Sequence, residues 1–164
     1  MACRRRYRQE CGFFYCGAIS TGSSRRALDV PYILAIDYTV NGWYILVGRD
    51  ANENDELLRH HVRGNDMWLH TRDTPGGYVF IKCRAGKTIP LDILLDAGNL
   101  ALYFSKARAA GKADLYYTEV KYLRRAKNGP KGLVIPTHEK NLNVVLDKNR
   151  LARLEAIRQE NAAI

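Results

Sequence analysis

An α+β fold, with a mixed, mostly antiparallel sheet covered by helices, is what this 164-residue sequence predicts. Three observations point there. Short β-rich runs alternate with segments of helical pattern in the order ββαββαβββα. Most consecutive β runs are joined by turn residues rather than by crossovers, so the strands cannot all run parallel. The length suits one domain able to bury most of its apolar surface.

The elements follow in chain order. Residues 32–38 are β-rich, Asn41-Gly42 is the preferred dipeptide of a two-residue hairpin turn, and residues 43–47 are β-rich again, so these runs are expected to pair antiparallel. Asn52 or Asn54 is expected to cap a helix running through Val62, with Glu53, Asp55 and Glu56 in its first turn and Gly64 beyond its end. Leu57, Leu58 and Val62 would face the core. Residues 67–71 and 78–83 read as strands joined by Asp73-Thr74-Pro75-Gly76-Gly77, in which proline sets φ and the glycines are free to take positive φ. Pro90 suits the first turn of a helix carrying Leu91, Leu94, Leu95 and Leu102 and stopped by Gly111, with Gly98 a weak point that could split it. Residues 115–123 suit a strand, Asn128-Gly129-Pro130 marks a loop before a strand at 133–135, and 142–146 is one more. Asp147 can cap a C-terminal amphipathic helix over 148–164, with Leu151, Leu154 and Ile157 on one stripe and Arg150, Arg153 and Arg158 outside.

Charge is unevenly spread. The formal net charge is +9 and the pI about 9.5, which favours polyanionic partners. Residues 30–111 carry nine Lys or Arg against nine acids, whereas 112–150 carry nine against four. Residues 1–29, with six Arg against two acids, read as a basic, flexible leader before a domain at 30–147. That leader imitates a signal peptide, but its apolar part is short and twice broken by glycine. No apolar run approaches the roughly eighteen residues a membrane helix needs, so a cytoplasmic protein with no membrane partner is expected. The four cysteines form no C-x-x-C pair and the four histidines show no metal spacing, so no metal or other cofactor is expected. Nor is there a nucleophile elbow, a Walker loop or a pair of catalytic carboxylates, and no catalytic residue is assigned. Cys83, at a strand end, reads as a small buried hydrophobe.

Four constellations carry the functional reading. A bend formed by Asp73, Pro75, Gly76, Gly77 and Tyr78 can aim N–H groups at one anion, with Arg72 adding a forked donor; the alternative is a plain strand connection. Lys121, Arg124, Arg125, Lys127 and Lys131 repel one another unless a polyanion offsets them, although edge lysines also discourage sheet aggregation. Trp68, Tyr78, Tyr103, Tyr116, Tyr117 and Tyr122 lie near basic residues; Trp68 reads as core, and Tyr78 and Tyr122 as the better stackers of unpaired bases, at ~1–3 kcal/mol each. Lys106 and Arg108 follow Ser105 near a helix C-terminus, where the helix dipole favours cations with no ligand at all. His70, on the same strand face as Trp68, could donate to phosphate or titrate near neutrality, and Arg49 is a further polar group along the same unit.

These residues belong to a wider pattern. GRDANENDEL, NDMWLHTRDTPGGYV, FSKAR, YTEVKYLRR and GLVIP occur in that order between about Tyr32 and Val145. The pattern resembles the NFACT-R domain, the RNA-binding module of RqcH/NEMF-type ribosome quality-control factors. There the corresponding runs read GRNAxxNDxL, NDLWLHVxDIPGSHV, YSKAR, YTxVKxVKK and GxV. The family's Ser-His is Gly77-Tyr78 here, and its GRN is Gly48-Arg49-Asp50. The resemblance implies an RNA-binding module contacting tRNA or rRNA in ribosome-associated quality control or translation, with the large ribosomal subunit as a partner. It equally allows a role presenting RNA to a tRNA-modifying enzyme of the thiolation type, and a protein-interaction module stands as a third class. Full-length relatives carry a further N-terminal domain and a coiled coil, so a free-standing form is expected here. Oligomeric state is not legible.

Overall fold

The computed structural model describes residues 35–163, so the leader, the start of the expected 32–38 strand and Ile164 lie outside it. Strands β1 (Ile36–Val40) and β2 (Trp43–Gly48) form the expected hairpin, with Val40 opposite Trp43. Asn41 at φ 49° and Gly42 at φ 75° give the left-handed pair that a two-residue turn of this twist requires.

Helix α1 (Ala51–Glu56) runs on into a wider π turn, Leu57–His61. Its cap is Asp50, not Asn52 or Asn54: the Asp50 carboxylate accepts the N–H groups of Asn52 and Glu53 at 2.8 and 2.9 Å. Three good capping residues within five positions made the choice ambiguous in sequence. Asn54 is buried instead and serves the site described below.

Strands β3 (Met67–Thr71) and β4 (Tyr78–Ile81) pair antiparallel. β4 stops two residues short of Cys83, which is exposed rather than buried. Helix α2 (Leu91–Tyr103) ends well before Ala110. The break comes at Phe104–Ser105 and not at Gly98, because the Ser105 hydroxyl accepts the Ala107 N–H at 3.1 Å and starts a separate 3-10 turn, Lys106–Ala110, which Gly111 closes at φ 69°. Gly98 is intact helix pressed against the sheet; a β-carbon there would lie 3.0 Å from a Val144 methyl and 3.2 Å from a Leu115 methyl.

The expected 115–123 strand is two elements. β5 (Lys112–Glu119) stops at a 3-10 turn, Val120–Tyr122, and β6 (Leu123–Arg125) leaves to pair with β7 (Val134–Pro136) in a sheet of its own. β8 (Lys140–Val145) returns alongside β5, and α3 (Lys148–Ala162) follows its Asp147 cap. The main sheet has the order β1-β2-β4-β3-β5-β8, and its pairings among the described residues are antiparallel throughout, without the parallel component of a mixed sheet.

Alternation along the strands sorts the side chains into two layers. Ile45, Val47, Leu69, Val79, Ile81, Leu115 and Val144 point to one face and bury Ile93, Ala97 and Leu100 of α2 with Leu154 of α3. Leu46, Trp68, Tyr78 and Phe80 point to the other face, beneath Leu57 of α1 and Val134 of β7, with Leu58 and Val62 half-buried beside them. Arg150 is not outside: it is half-buried and reaches both the fully buried carboxylate of Asp96 on α2 and Asp92, the latter at 2.8 Å, while Arg153, exposed as expected, also reaches Asp96 at 2.6 Å. α3 is thus tied to α2 by charge as well as by its leucine stripe. Among the described residues no helix is long and apolar enough to cross a membrane.

Candidate nucleic-acid interface

The Pro-Gly bend is a junction between distant segments. Gly77 N–H donates to the Phe104 carbonyl at 3.1 Å, Lys106 N–H donates to the Pro75 carbonyl at 3.1 Å, and Tyr78 N–H donates to Asn54 Oδ1 at 3.1 Å. Neither Gly76 nor Gly77 has the positive φ expected of it. They are glycines because other segments come too close: a β-carbon on Gly76 would lie 2.6 Å from Ser105 Cβ and 3.0 Å from its Cα, and one on Gly77 would lie 2.3 Å from the Gly48 carbonyl oxygen. The N–H groups of Gly77 and Tyr78 are therefore spent inside the fold and do not form the anion cradle the sequence suggested. What the bend shows to solvent is Arg72, Asp73 and Pro75, with Arg72 Nε 3.7 Å from Asp73.

Tyr78, expected to stack bases, is 6% exposed. Its ring meets Trp68 edge-on at 5.3 Å and His70 at 5.0 Å, and its hydroxyl contacts the Val134 backbone. Burial pushes its phenol above the usual value. His70 shares the Trp68 face as expected and stacks on that indole at 5.8 Å. Burial pushes its imidazole below the ordinary histidine value, against opposing hydrogen bonds to the Gly76 and Thr71 backbone, so it is neutral at physiological pH.

Beyond His70 the sheet face opens. Strand register places His70, Tyr116 and Asn141 in one row, and the Arg72 N–H bond to the Asp114 carbonyl extends it to a second row of Arg72, Asp114 and Asn143. Arg72 sits 5.7 Å from the Tyr116 ring centre, and Asn143 donates to Asp114 at 2.7 Å. Tyr116 was one of six aromatics near basic residues, and only the register distinguishes it. The outward Asn141 and Asn143 were missed, although the alternation of Lys-Asn-Leu-Asn-Val carries that signal.

The basic run after β5 is sorted by the β6–β7 hairpin. Lys121 pairs with Glu119 at 2.6 Å, a hydrogen bond that raises its pKa, and lies 5.1 Å from the Tyr122 ring, which in turn contacts His138 at 4.8 Å. Arg125 shares the inward face with Val134 and pairs with Asp55 at 2.6 Å, where Arg59 also reaches. Burial of Asp55 would raise its pKa, but hydrogen bonds from Arg125 and Arg59 outweigh that and hold it below the usual carboxylate range. Arg124 is on the outward face opposite Ile135. Arg124, Lys127 and Lys131 are exposed and form no ion pair with the described residues. The hairpin's loop is held to α1 through Gly132, at φ 74° and packed against the Ala51 carbonyl.

The other expected cations are placed as follows. Arg49 is bound to the Glu53 carboxylate, Nε to Oε2 at 3.1 Å. Lys106 and Arg108 belong to the 3-10 turn, and the Arg108 guanidinium lies 3.9 Å from the Tyr103 ring centre. Lys82 is committed to Asp66 and to the His61 carbonyl. By element, the exposed cations fall into two groups, one on the hairpin and one around the bend and the 106–110 turn. Among the described residues no cluster of His, Cys, Asp or Glu has the makings of a metal site.

A family model described as the NFACT protein RNA binding domain matches residues 32–138. The Rqc2 homolog RqcH of Streptococcus pneumoniae serotype 2 is 35% identical over 112 residues, covering 68% of this chain and 20% of that protein. The RqcH of Bacillus subtilis is 26% identical over 117 residues, 71% of this chain and 20% of its own length. The coiled-coil domain-containing protein 25 homolog of Dictyostelium discoideum is 26% identical over 122 residues, 70% of this chain and 59% of that protein. The chain thus spans about a fifth of the length of the RqcH proteins it matches. Among solved structures, the C-terminal part of the fibronectin/fibrinogen-binding protein from Streptococcus suis is similar with a TM-score of 0.64 at 29% identity, covering 72% of this chain and 47% of that one.

Proposed function

The chain belongs to the NFACT-R family, an RNA-binding rather than a catalytic module, and from that premise we propose that it holds tRNA or ribosomal RNA in ribosome-associated quality control, in the cytoplasm, through the β6–β7 hairpin and the open sheet strip beside it. The observation that carries this reading is the hairpin's charge. Arg124, Lys127 and Lys131 project from one small, well-anchored element without acidic partners among the described residues, whereas Lys121 and Arg125 are neutralised by Glu119 and Asp55. Phosphates supply the missing counter-charge, and release of their condensed ions drives association. The strip of Arg72, Tyr116, Asn141 and Asn143 adds a partly exposed ring and amides able to meet bases or riboses.

The test is a tRNA band shift on the full chain at about 50 and 200 mM salt. Wild type binds at the lower salt and loses affinity steeply at the higher. Reversing Arg124, Lys127 and Lys131 to Glu lowers the slope of log affinity against log salt by about three or more, near one unit for each phosphate no longer neutralised. Absence of binding at low salt overturns the reading. Leu133 and Ile135, 44% and 53% exposed on the same hairpin, favour a second reading as a protein-docking surface. That reading requires a partner whose capture survives nuclease.

A further inference from the structure

A cleft of about 610 Å³ lies where the 106–110 turn meets the end of β8 and the start of α3, apart from the hairpin. Its size is within the range of small-ligand sites. Leu146 and Leu151 give it an apolar wall, and Lys106, Arg108 and Lys148 line it with no carboxylate among the lining residues. Arg108 lies 3.9 Å from the Tyr103 ring centre. A guanidinium backed by a phenol ring is a rigid surface on which a base can stack, since bases stack on arginine planes as well as on aromatic rings. None of the three cations has an ion-pair partner among the described residues.

We propose that this cleft takes one unpaired nucleotide of a bound RNA, with the base on the Arg108–Tyr103 pair and the adjoining phosphate held by Lys106 and Lys148. The inference rests on the RNA-binding reading and adds a single-strand subsite to it. The chemistry selects against a duplex, whose bases are already stacked and whose edges alone are displayed. The Lys106 N–H is bonded to the Pro75 carbonyl, which ties the 106–110 turn to the bend that follows Arg72.

The experiment compares a single-stranded hexaadenylate with a blunt RNA duplex on the full chain, by fluorescence anisotropy, for wild type and Arg108→Lys. The lysine keeps the charge and removes the plane, and an unchanged thermal midpoint shows that the fold is intact. The expected result is about a tenfold loss of hexamer affinity, in the range for one stacked base, with duplex affinity and the salt slope unchanged. Tyr103 ring and Leu151 methyl resonances of the wild type shift on adding the hexamer. Equal hexamer affinity in the two proteins overturns the inference and leaves the RNA function standing, as does an equal loss for hexamer and duplex. Failure of wild type to bind tRNA or either probe removes the functional reading itself, and the subsite with it.

Discussion

Replacing Gly77 by alanine probes the junction that organises the interface. A glycine outside the left-handed region is ordinarily improved by alanine, which lowers the entropy of the unfolded chain by roughly 0.4–1 kcal/mol. Here the sign is reversed. The new methyl would sit 2.3 Å from the Gly48 carbonyl oxygen, and that oxygen is backbone at the end of a central strand with no rotamer to yield. Relief requires moving β2 and the bend apart, which lengthens the Gly77 bond to Phe104 and the Tyr78 bond to Asn54, both already 3.1 Å. Loss of two buried hydrogen bonds at about 1 kcal/mol each and overpacking strain of about 1–3 kcal/mol, less the unfolded-state gain, leave a net cost of about 3 kcal/mol. For a unit of this size that lowers the melting midpoint by about 10 °C. Urea and thermal unfolding measure it, with Gly86→Ala as the control. Gly86 has open space and φ 69°, so its alanine costs about 1 kcal/mol from backbone strain alone. A Gly77→Ala protein as stable as wild type, or more so, refutes the close-approach account.

Three further outcomes follow from the geometry. Arg124→Ala weakens RNA binding with no change in stability, whereas Arg125→Ala, which breaks a half-exposed pair with Asp55, costs about 0.5–1 kcal/mol of stability and weakens binding less; parallel unfolding and anisotropy titrations separate the two. Asp96→Asn leaves Arg150 and Arg153 without their buried carboxylate and costs about 3 kcal/mol, read by unfolding and by faster proteolysis within α3. His70 has a folded pKa below its unfolded value, so its contribution is complete above about pH 6.5 and declines as pH falls through that value toward the folded pKa. His70→Phe therefore flattens the fall of melting temperature below about pH 6.5, and the residual slope includes His61, whose pKa burial also lowers.

What the sequence disclosed and what it concealed divide along one line. Features decided within a few residues were legible: the Asn41-Gly42 turn, the Asp147 cap and the burial of Trp68. Features decided by a remote partner were not. Gly76 and Gly77 look like flexible turn residues until Ser105 and Gly48 are seen against them. Tyr78 looks exposed beside a turn until the hairpin brings Val134 over it. Arg124 and Arg125 are indistinguishable in sequence, and only Asp55, 70 residues away, separates a structural arginine from a free one. Several residues of the five family motifs, Gly48, Asn54, Gly77 and Ser105 among them, build the junction itself, while Lys127 and Lys131 are exposed and Tyr116 is half-buried.

The central claim is that the β6–β7 hairpin meets RNA. Ultraviolet crosslinking of the full chain to tRNA, followed by mass spectrometry of the crosslinked peptides, addresses it most directly. Crosslinked nucleotides within residues 121–135, lost when Arg124, Lys127 and Lys131 are reversed to Glu, are the predicted result. Crosslinks elsewhere with none in that hairpin, and unchanged by the reversal, would contradict it.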